Sequence, residues 1–324
     1  MTSSPQGDTF NAPRPVVGRF APSPSGRMHL GNALSALVAW LGVRSQGGRI
    51  VLRIEDLDPA RSSDRAAADI MDDLRWLGLD WDEGPYFQSE RLDLYEEAAR
   101  RLSDAGLVYP CFCTRAELHA ASAPHASDGT YVYGGACAHL SPEEVLRRSQ
   151  TRPGALRLRV PPVDDPCGTI AFEDLVYGPG REVLARDCGD FLIRRSDGVF
   201  AYQLAVVVDD GLMGITQVTR GRDLLGSCAR QIYLHRLLGF EAPTFAHVPL
   251  LVSADGRRLS KRDRDLDLGA LREAGATPER VVSMLARALG LACQNEPLLP
   301  EDLIKHFSWE TISHVAEAGD ICVR

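Results

Sequence analysis

The sequence predicts an α/β protein: a parallel-sheet domain interrupted by an inserted segment and followed by a small, mainly helical C-terminal region. Three observations carry this prediction. A strand–helix–strand unit opens the chain, the rhythm breaks into Gly, Pro and Cys after Pro110, and the α/β alternation resumes at Asp190. Residues 16–20 form a short apolar strand, and residues 21–27 form a Pro/Ser/Gly loop. Leu30, Leu34, Leu37, Val38 and Leu41 recur at helical spacing, and Gly47-Gly48 ends that helix. Arg49–Ile54 alternates as the next strand, and strands joined through a helix in this way run parallel. Residues 64–77 and 89–102 read as further helices. Between residues 110 and 183 only short β-like runs such as 156–160 appear among the breaks. Strands at Phe191–Arg194 and 214–219 then precede a helix over 223–238, stopped by Gly239. From Phe240 onward the pattern is mainly helical. The expected division is a disordered lead-in at 1–15, the main domain at 16–110 and 186–239, the insertion at 111–185, and the tail at 240–324.

Composition narrows the function class. The chain has 324 residues, 44% of them hydrophobic and 25% charged, as in ordinary globular proteins of about two domains. No apolar run approaches the roughly 18 to 20 residues of a membrane span, and residues 1–15 lack the apolar core of a signal peptide. The expectation is a cytoplasmic protein without membrane contact, with its eight cysteines reduced or bound to metal. A net charge of −8 gives no general basic signature, so contact with nucleic acid must rest on local patches such as Arg257, Arg258, Lys261, Arg262 and Arg264.

Two motifs bear on chemistry. Ala21-Pro22-Ser23-Pro24-Ser25-Gly26, followed by His29-Leu30-Gly31-Asn32, lies between a strand and a helix, where helix N-terminal amides attract phosphates. A histidine there can donate to phosphate oxygens as charge moves, although a histidine at a helix start is also met as a simple cap. Far downstream, Arg258-Leu259-Ser260-Lys261-Arg262 follows Asp255-Gly256. A lysine on such a loop can close over a triphosphate, and a basic turn facing water is the plainer alternative. In this order the pair resembles the HIGH and KMSKS signatures of class I aminoacyl-tRNA synthetases.

The segments 18–26 (Gly-Arg-Phe-Ala-Pro-Ser-Pro-Ser-Gly), 53–58 (Arg-Ile-Glu-Asp-Leu-Asp), 201–205 with Val208-Asp209-Asp210, and 220–224 narrow the resemblance to the glutamyl-tRNA synthetase family. Together with the signatures they cover about four-fifths of the chain, and they are specific in combination. The resemblance implies a Rossmann-like catalytic domain that uses ATP-Mg²⁺ to activate L-glutamate. It implies that Arg19, Tyr202 and Arg220 hold glutamate's carboxylates and Glu55 its ammonium, with Phe20, Ala21, Pro22 and Ser23 shaping the pocket. His29, Gly31, Asn32 and Lys261 would meet ATP, with His29 and Lys261 catalytic. Taken singly, Arg19 reads equally as a surface strand residue and Glu55 as a partner of Arg53 or Arg61. The chain departs from the family signatures at Asn32, at Arg258-Leu259 and at Arg262.

Cys111-Phe112-Cys113 and Cys137 offer three thiolates to a tetrahedral zinc, with Tyr131, Tyr133, His125 and His139 competing for the fourth place. The family's Tyr-x-x-x-Cys pattern matches Tyr133 and Cys137, which implies Tyr133 as that ligand and one structural Zn²⁺ in the insertion. Three cysteines without metal are the alternative. Cys167, Cys188, Cys228, Cys293 and Cys322 are scattered and read as packing residues.

Only sixty residues follow Arg264, where full-length members carry an anticodon-binding region. The shortened form resembles those members that esterify glutamate onto the queuosine base at the wobble position of tRNA(Asp). Activation is then expected without RNA. The competing expectations are a truncated glutamyl enzyme charging tRNA(Glu), a small-molecule adenylating nucleotidyltransferase, and a silent binding paralogue.

Overall fold

The computed structural model describes residues 14–120, 132–253, 267–294 and 296–322. The lead-in up to residue 13, Tyr131, His125 and the loop carrying Lys261 lie outside the described residues.

The chain opens β1 (Val17–Phe20), α1 (Leu30–Arg44), β2 (Arg49–Ile54), α2 (Asp64–Trp76), β3 (Glu83–Phe87) and α3 (Leu92–Asp104). It continues through β4 (Val108–Cys111), α4 (Arg115–Ala120), α5 (Pro142–Ser149), β5 (Ala155–Leu158), β6 (Thr169–Asp174), β7 (Gly178–Val183), α6 (Leu184–Asp187) and β8 (Phe191–Arg194). Next come α7 (Tyr202–Leu212), β9 (Gln217–Gly221), α8 (Cys228–Leu238), β10 (Thr244–Val248) and β11 (Leu251–Val252). α9 (Leu268–Glu273), α10 (Pro278–Ala288), α11 (Pro300–Leu303), α12 (Trp309–Glu317) and β12 (Ile321–Cys322) close the described chain.

β1, β2 and β3 pair in parallel, and β9, β10 and β6 pair in parallel with β7 antiparallel at the edge. β1 runs beside β9, tied by the Thr216 amide donating to the Val17 carbonyl and the Val17 amide donating to the Thr216 hydroxyl. Strand order therefore reverses between β1 and β9, and such a switch point leaves a crevice at the strands' carboxyl ends. Apolar side chains of α1, α2 and α10 pack one core with β2, while α3, α7 and α8 pack a second with β9. Gly18 permits the first contact: a Cβ there would stand 2.3 Å from Val43 of α1.

The structure adds elements that the periodicity misses. Tyr202–Leu212 is a helix whose almost unbroken apolar run hides any face, because Leu204 through Asp210 are all buried. Thr244–Val248, at the start of the segment expected to be helical, is a strand paired along its length with β9. Thr169–Asp174, within the expected insertion, reaches the same sheet, where Leu175 donates to the Phe245 carbonyl at 2.9 Å. Glycine, proline and charge in 169–183 conceal a strand pair whose alternation is weak. β4, β5 and β8 form a separate antiparallel sheet beside a small core containing Tyr109, Cys111, Phe112, Tyr133 and Cys137. No helix among the described residues is long and apolar enough to cross a membrane.

Candidate active site

A cavity of about 490 Å³ opens at the switch point. Its floor comes from the last residues of β1 (Arg19, Phe20) and β9 (Thr219, Arg220, Gly221), from Glu55 just past β2, and from Tyr202 at the start of α7. Ala21, Pro22 and Ser23 form one wall, and His29, Gly31 and Asn32 line the cavity at the N-terminus of α1. Every described residue expected to meet amino acid or ATP thus lines one cavity.

Its charged groups are buried, so the chain must hold them in fixed directions. Arg19 is 5% exposed; its Nη1 donates to the Thr219 carbonyl at 3.2 Å and its Nε faces Asp210 at 3.5 Å. The surface alternative for Arg19 is therefore excluded. Burial pushes the Arg19 guanidinium below its ordinary pKa against the pull of Asp210, so an anionic ligand there would be favoured. Glu55 is paired with Arg53, whose Nη2 donates to Glu55 Oε1 at 3.1 Å. Burial raises the Glu55 carboxyl above its ordinary value, and Arg53 and Arg19 oppose the rise.

Beneath these lies a charge network whose support role no motif announces. Arg53, fully buried, donates to Asp210 at 2.7 Å and lies 3.6 Å from Asp209. Asp209 also accepts from Gln88 at 2.9 Å, Arg91 at 2.7 Å and the Tyr95 hydroxyl at 2.8 Å. Burial alone would raise Asp210, but Arg53 and Arg19 hold it below the usual carboxylate value. Three acids (Glu55, Asp209, Asp210) and three arginines (Arg19, Arg53, Arg91) compensate one another, as burial requires.

Arg220 is fixed by four partners: His247 Nε2 at 2.9 Å, Gln231 Oε1 at 2.8 Å, the Tyr202 hydroxyl at 3.4 Å and Cys228 Sγ at 3.5 Å. His29 is the N-cap of α1, its Nδ1 accepting from the Gly31 and Asn32 amides at 3.1 and 3.3 Å. The neutral ring then carries its proton on Nε2. Capping and lining the cavity are thus compatible roles for one side chain. Asn32 completes the cap by accepting from the His29 amide at 3.3 Å.

At the second constellation, the sulfurs of Cys111, Cys113 and Cys137 lie within 4.8 Å of one another. The Tyr133 hydroxyl is 3.5 Å from Cys111 Sγ and 3.6 Å from Cys113 Sγ, and it accepts from the Cys137 amide at 2.8 Å. The Arg157 guanidinium stacks over the Tyr133 ring, 3.7 Å from its centroid. Three soft donors and a phenol oxygen in this proximity are compatible with a tetrahedral cation.

The chain matches the family described as tRNA synthetases class I (E and Q), catalytic domain, over residues 15–322. It belongs to this family. The Glutamyl-Q tRNA(Asp) synthetase of Symbiobacterium thermophilum is 52% identical over 306 residues, spanning 90% of this chain and 92% of that protein. Glutamate–tRNA ligase 2 of Alkalilimnicola ehrlichii is 47% identical, but the match spans only 59% of its length. Among solved structures, a glutamate tRNA ligase from Elizabethkingia meningosepticum in complex with its amino acid superposes with a TM-score of 0.76 at 30% identity. That superposition covers 92% of this chain and 66% of the ligase. Membership of the family makes the protein a ligase that uses ATP-Mg²⁺ as substrate, with a class I α/β catalytic domain.

Proposed function

We propose that the chain activates L-glutamate with ATP, without RNA, and transfers the glutamyl group to the queuosine base at the wobble position of tRNA(Asp). The observation that carries the first half is one cavity holding two buried arginines, a largely buried carboxylate and a tyrosine beside a helix N-terminus. An amino dicarboxylate needs cations for its two carboxylates and an anion for its ammonium, and charge-assisted hydrogen bonds meet both needs. The second half is supported by relatives of matching length that carry the glutamyl-Q name.

In this reading Glu55, held by Arg53, receives the ammonium, while Arg19, Arg220 and the Tyr202 hydroxyl receive the carboxylates. Phe20, Ala21, Pro22 and Ser23 shape the cavity around the chain of the substrate. A carboxylate oxygen of glutamate bonds to the α-phosphorus of ATP as the bond to the bridging oxygen breaks and pyrophosphate leaves. The His29 Nε2–H, the Gly31 backbone and the Asn32 amide would meet the phosphates at the positive end of α1, with Lys261 acting on the triphosphate. A hydroxyl of the queuosine diol then attacks the carbonyl carbon, AMP leaves, and the hydroxyl's proton passes to solvent or phosphate. Positioning and electrostatics supply the acceleration, with no covalent intermediate on the protein.

Cys111, Cys113, Tyr133 and Cys137 would hold one Zn²⁺, whose contribution is to tie the segment 111–185 together for RNA contact. The test of function is charging of purified tRNA(Asp) with labelled glutamate, with and without queuosine. Queuosine-dependent incorporation is expected. Identity to glutamate–tRNA ligases favours a second reading, charging of tRNA(Glu), and incorporation there would displace the proposed acceptor.

A further inference from the structure

Behind the cavity, outside its lining but bonded to Arg220, lies a buried pair that the mechanism above leaves unused. Asp174 ends β6, and its Oδ2 lies 2.6 Å from Nδ1 of His247, the penultimate residue of β10. The other oxygen of Asp174 accepts from the amides of Val176, Tyr177 and His247, so the carboxylate cannot turn away. A carboxylate only accepts, so the His247 proton sits on Nδ1 and Nε2 presents a lone pair. That lone pair receives the Arg220 Nε–H at 2.9 Å. Asp174 and the His247 side chain are fully buried, and burial, ahead of the opposing Asp174 bond, holds His247 below the ordinary imidazole value. The ring is therefore neutral.

We propose that Asp174 and His247 are positioning residues that set the plane of Arg220 and thereby the preference of the cavity for a carboxylate over an amide. This rests on Arg220 holding a substrate carboxylate. The chain of cause is one of tautomers. Were His247 protonated on Nε2, two N–H groups would face each other, and Arg220 would have to rotate away from its fixed direction. A guanidinium discriminates carboxylate from amide through paired, coplanar hydrogen bonds, so a few tenths of an ångström of displacement matter. β6 lies in the segment between the two halves of the expected catalytic domain, so the device ties that segment to the amino-acid cavity.

The experiment is glutamate- and glutamine-dependent ATP–pyrophosphate exchange for wild type, Asp174→Asn, His247→Gln and His247→Leu. Thermal melting accompanies it to establish the folded fraction. In Asp174→Asn the amide oxygen can still serve the three backbone amides, but its NH₂ now faces His247 Nδ1 and drives the proton to Nε2. KM for glutamate is expected to rise about 10- to 100-fold, the scale of one buried donor left unpaired, with kcat changed far less. The glutamate-over-glutamine ratio of kcat/KM should fall by at least about tenfold. His247→Leu should match it, whereas His247→Gln, whose oxygen can accept from Arg220, should recover most of the loss. Wild-type KM and selectivity in folded Asp174→Asn would overturn the proposal, as would equal losses in kcat alone for all three variants. Absence of glutamate-dependent exchange in the wild type would instead remove the glutamate reading on which it rests.

Discussion

The amino-acid cavity and the cysteine cluster are both polar sites embedded in apolar surroundings, yet they are held in opposite ways. The cavity's charges stand at the ends of β1, β2 and β9, with Arg19 and Arg53 pinned to residues far along the chain and Arg220 pinned by side chains of α7, α8 and β10. The cysteine cluster rests on fewer and shorter elements, with Cys113 in irregular chain after β4, Cys137 on a turn, and Tyr133 tied to Gly189 by an isolated bridge and to Arg157 of β5 by stacking. The first site stands on hydrogen bonds and ion pairs anchored in the sheet, and the second gathers donors that the proposed Zn²⁺ would tie together. The difference teaches where the proposed function places its parts: substrate selection in the sheet, and in the cluster a local fastening whose loss is expected to leave the sheet standing.

The largest expected effect tests the cavity. Arg220→Ala and Glu55→Ala each remove one charge from a buried pairing, which costs about 2 to 5 kcal/mol, or roughly 30- to 4000-fold in the glutamate requirement. Steady-state exchange kinetics check this, and wild-type values for either variant would remove it from the pocket. Next comes the network beneath. Arg53→Leu would strand Glu55, Asp209 and Asp210 without their shared cation, and about 3 to 5 kcal/mol of stability should be lost in urea denaturation. A loss below about 1 kcal/mol would mean the acids compensate among themselves by taking up protons.

The fastening should respond differently. Metal analysis of unchelated protein should find one zinc per chain, and a strong chelator should lower the melting temperature while leaving exchange largely intact. Tyr133→Phe should weaken zinc retention, and undiminished zinc would shift the fourth place to His125, Tyr131 or His139. If chelation abolishes exchange as thoroughly as Arg220→Ala does, the contrast between the two sites is broken.

The smallest effect is a pH dependence. Glu55 must be ionised to hold an ammonium, and burial raises its carboxyl above the ordinary 4.5. KM for glutamate should therefore rise as pH falls, beginning above the range in which the substrate's own carboxyl titrates. A rise confined to the ordinary carboxylate range would place Glu55 in a more solvated setting than its burial implies.

How much of this was legible in the sequence follows from where information is local. Arg19, Glu55 and Arg220 sit in contiguous strand-to-loop motifs, so the family resemblance can point to each, although none is decided by its own residue type. The support network is not local: Arg53 meets Asp210, and His247 meets Asp174, only because the sheet topology brings β2 to α7 and β10 to β6. β10 was concealed because Thr244 and His247 dilute its apolar signal, and β6 because Glu173 and Asp174 do the same. A buried histidine between apolar neighbours in Phe245-Ala246-His247-Val248 was the one local sign of a hidden partner.

In the proposed function this cavity recognises and activates glutamate in the folded chain alone. The most direct measurement of this is ATP–pyrophosphate exchange in purified protein freed of RNA, with glutamate, glutamine and aspartate compared as substrates. Exchange that depends on glutamate, is weak with the other two and is unchanged by added RNA is the predicted result. Exchange that requires RNA, or that glutamine supports as well as glutamate, would contradict the account.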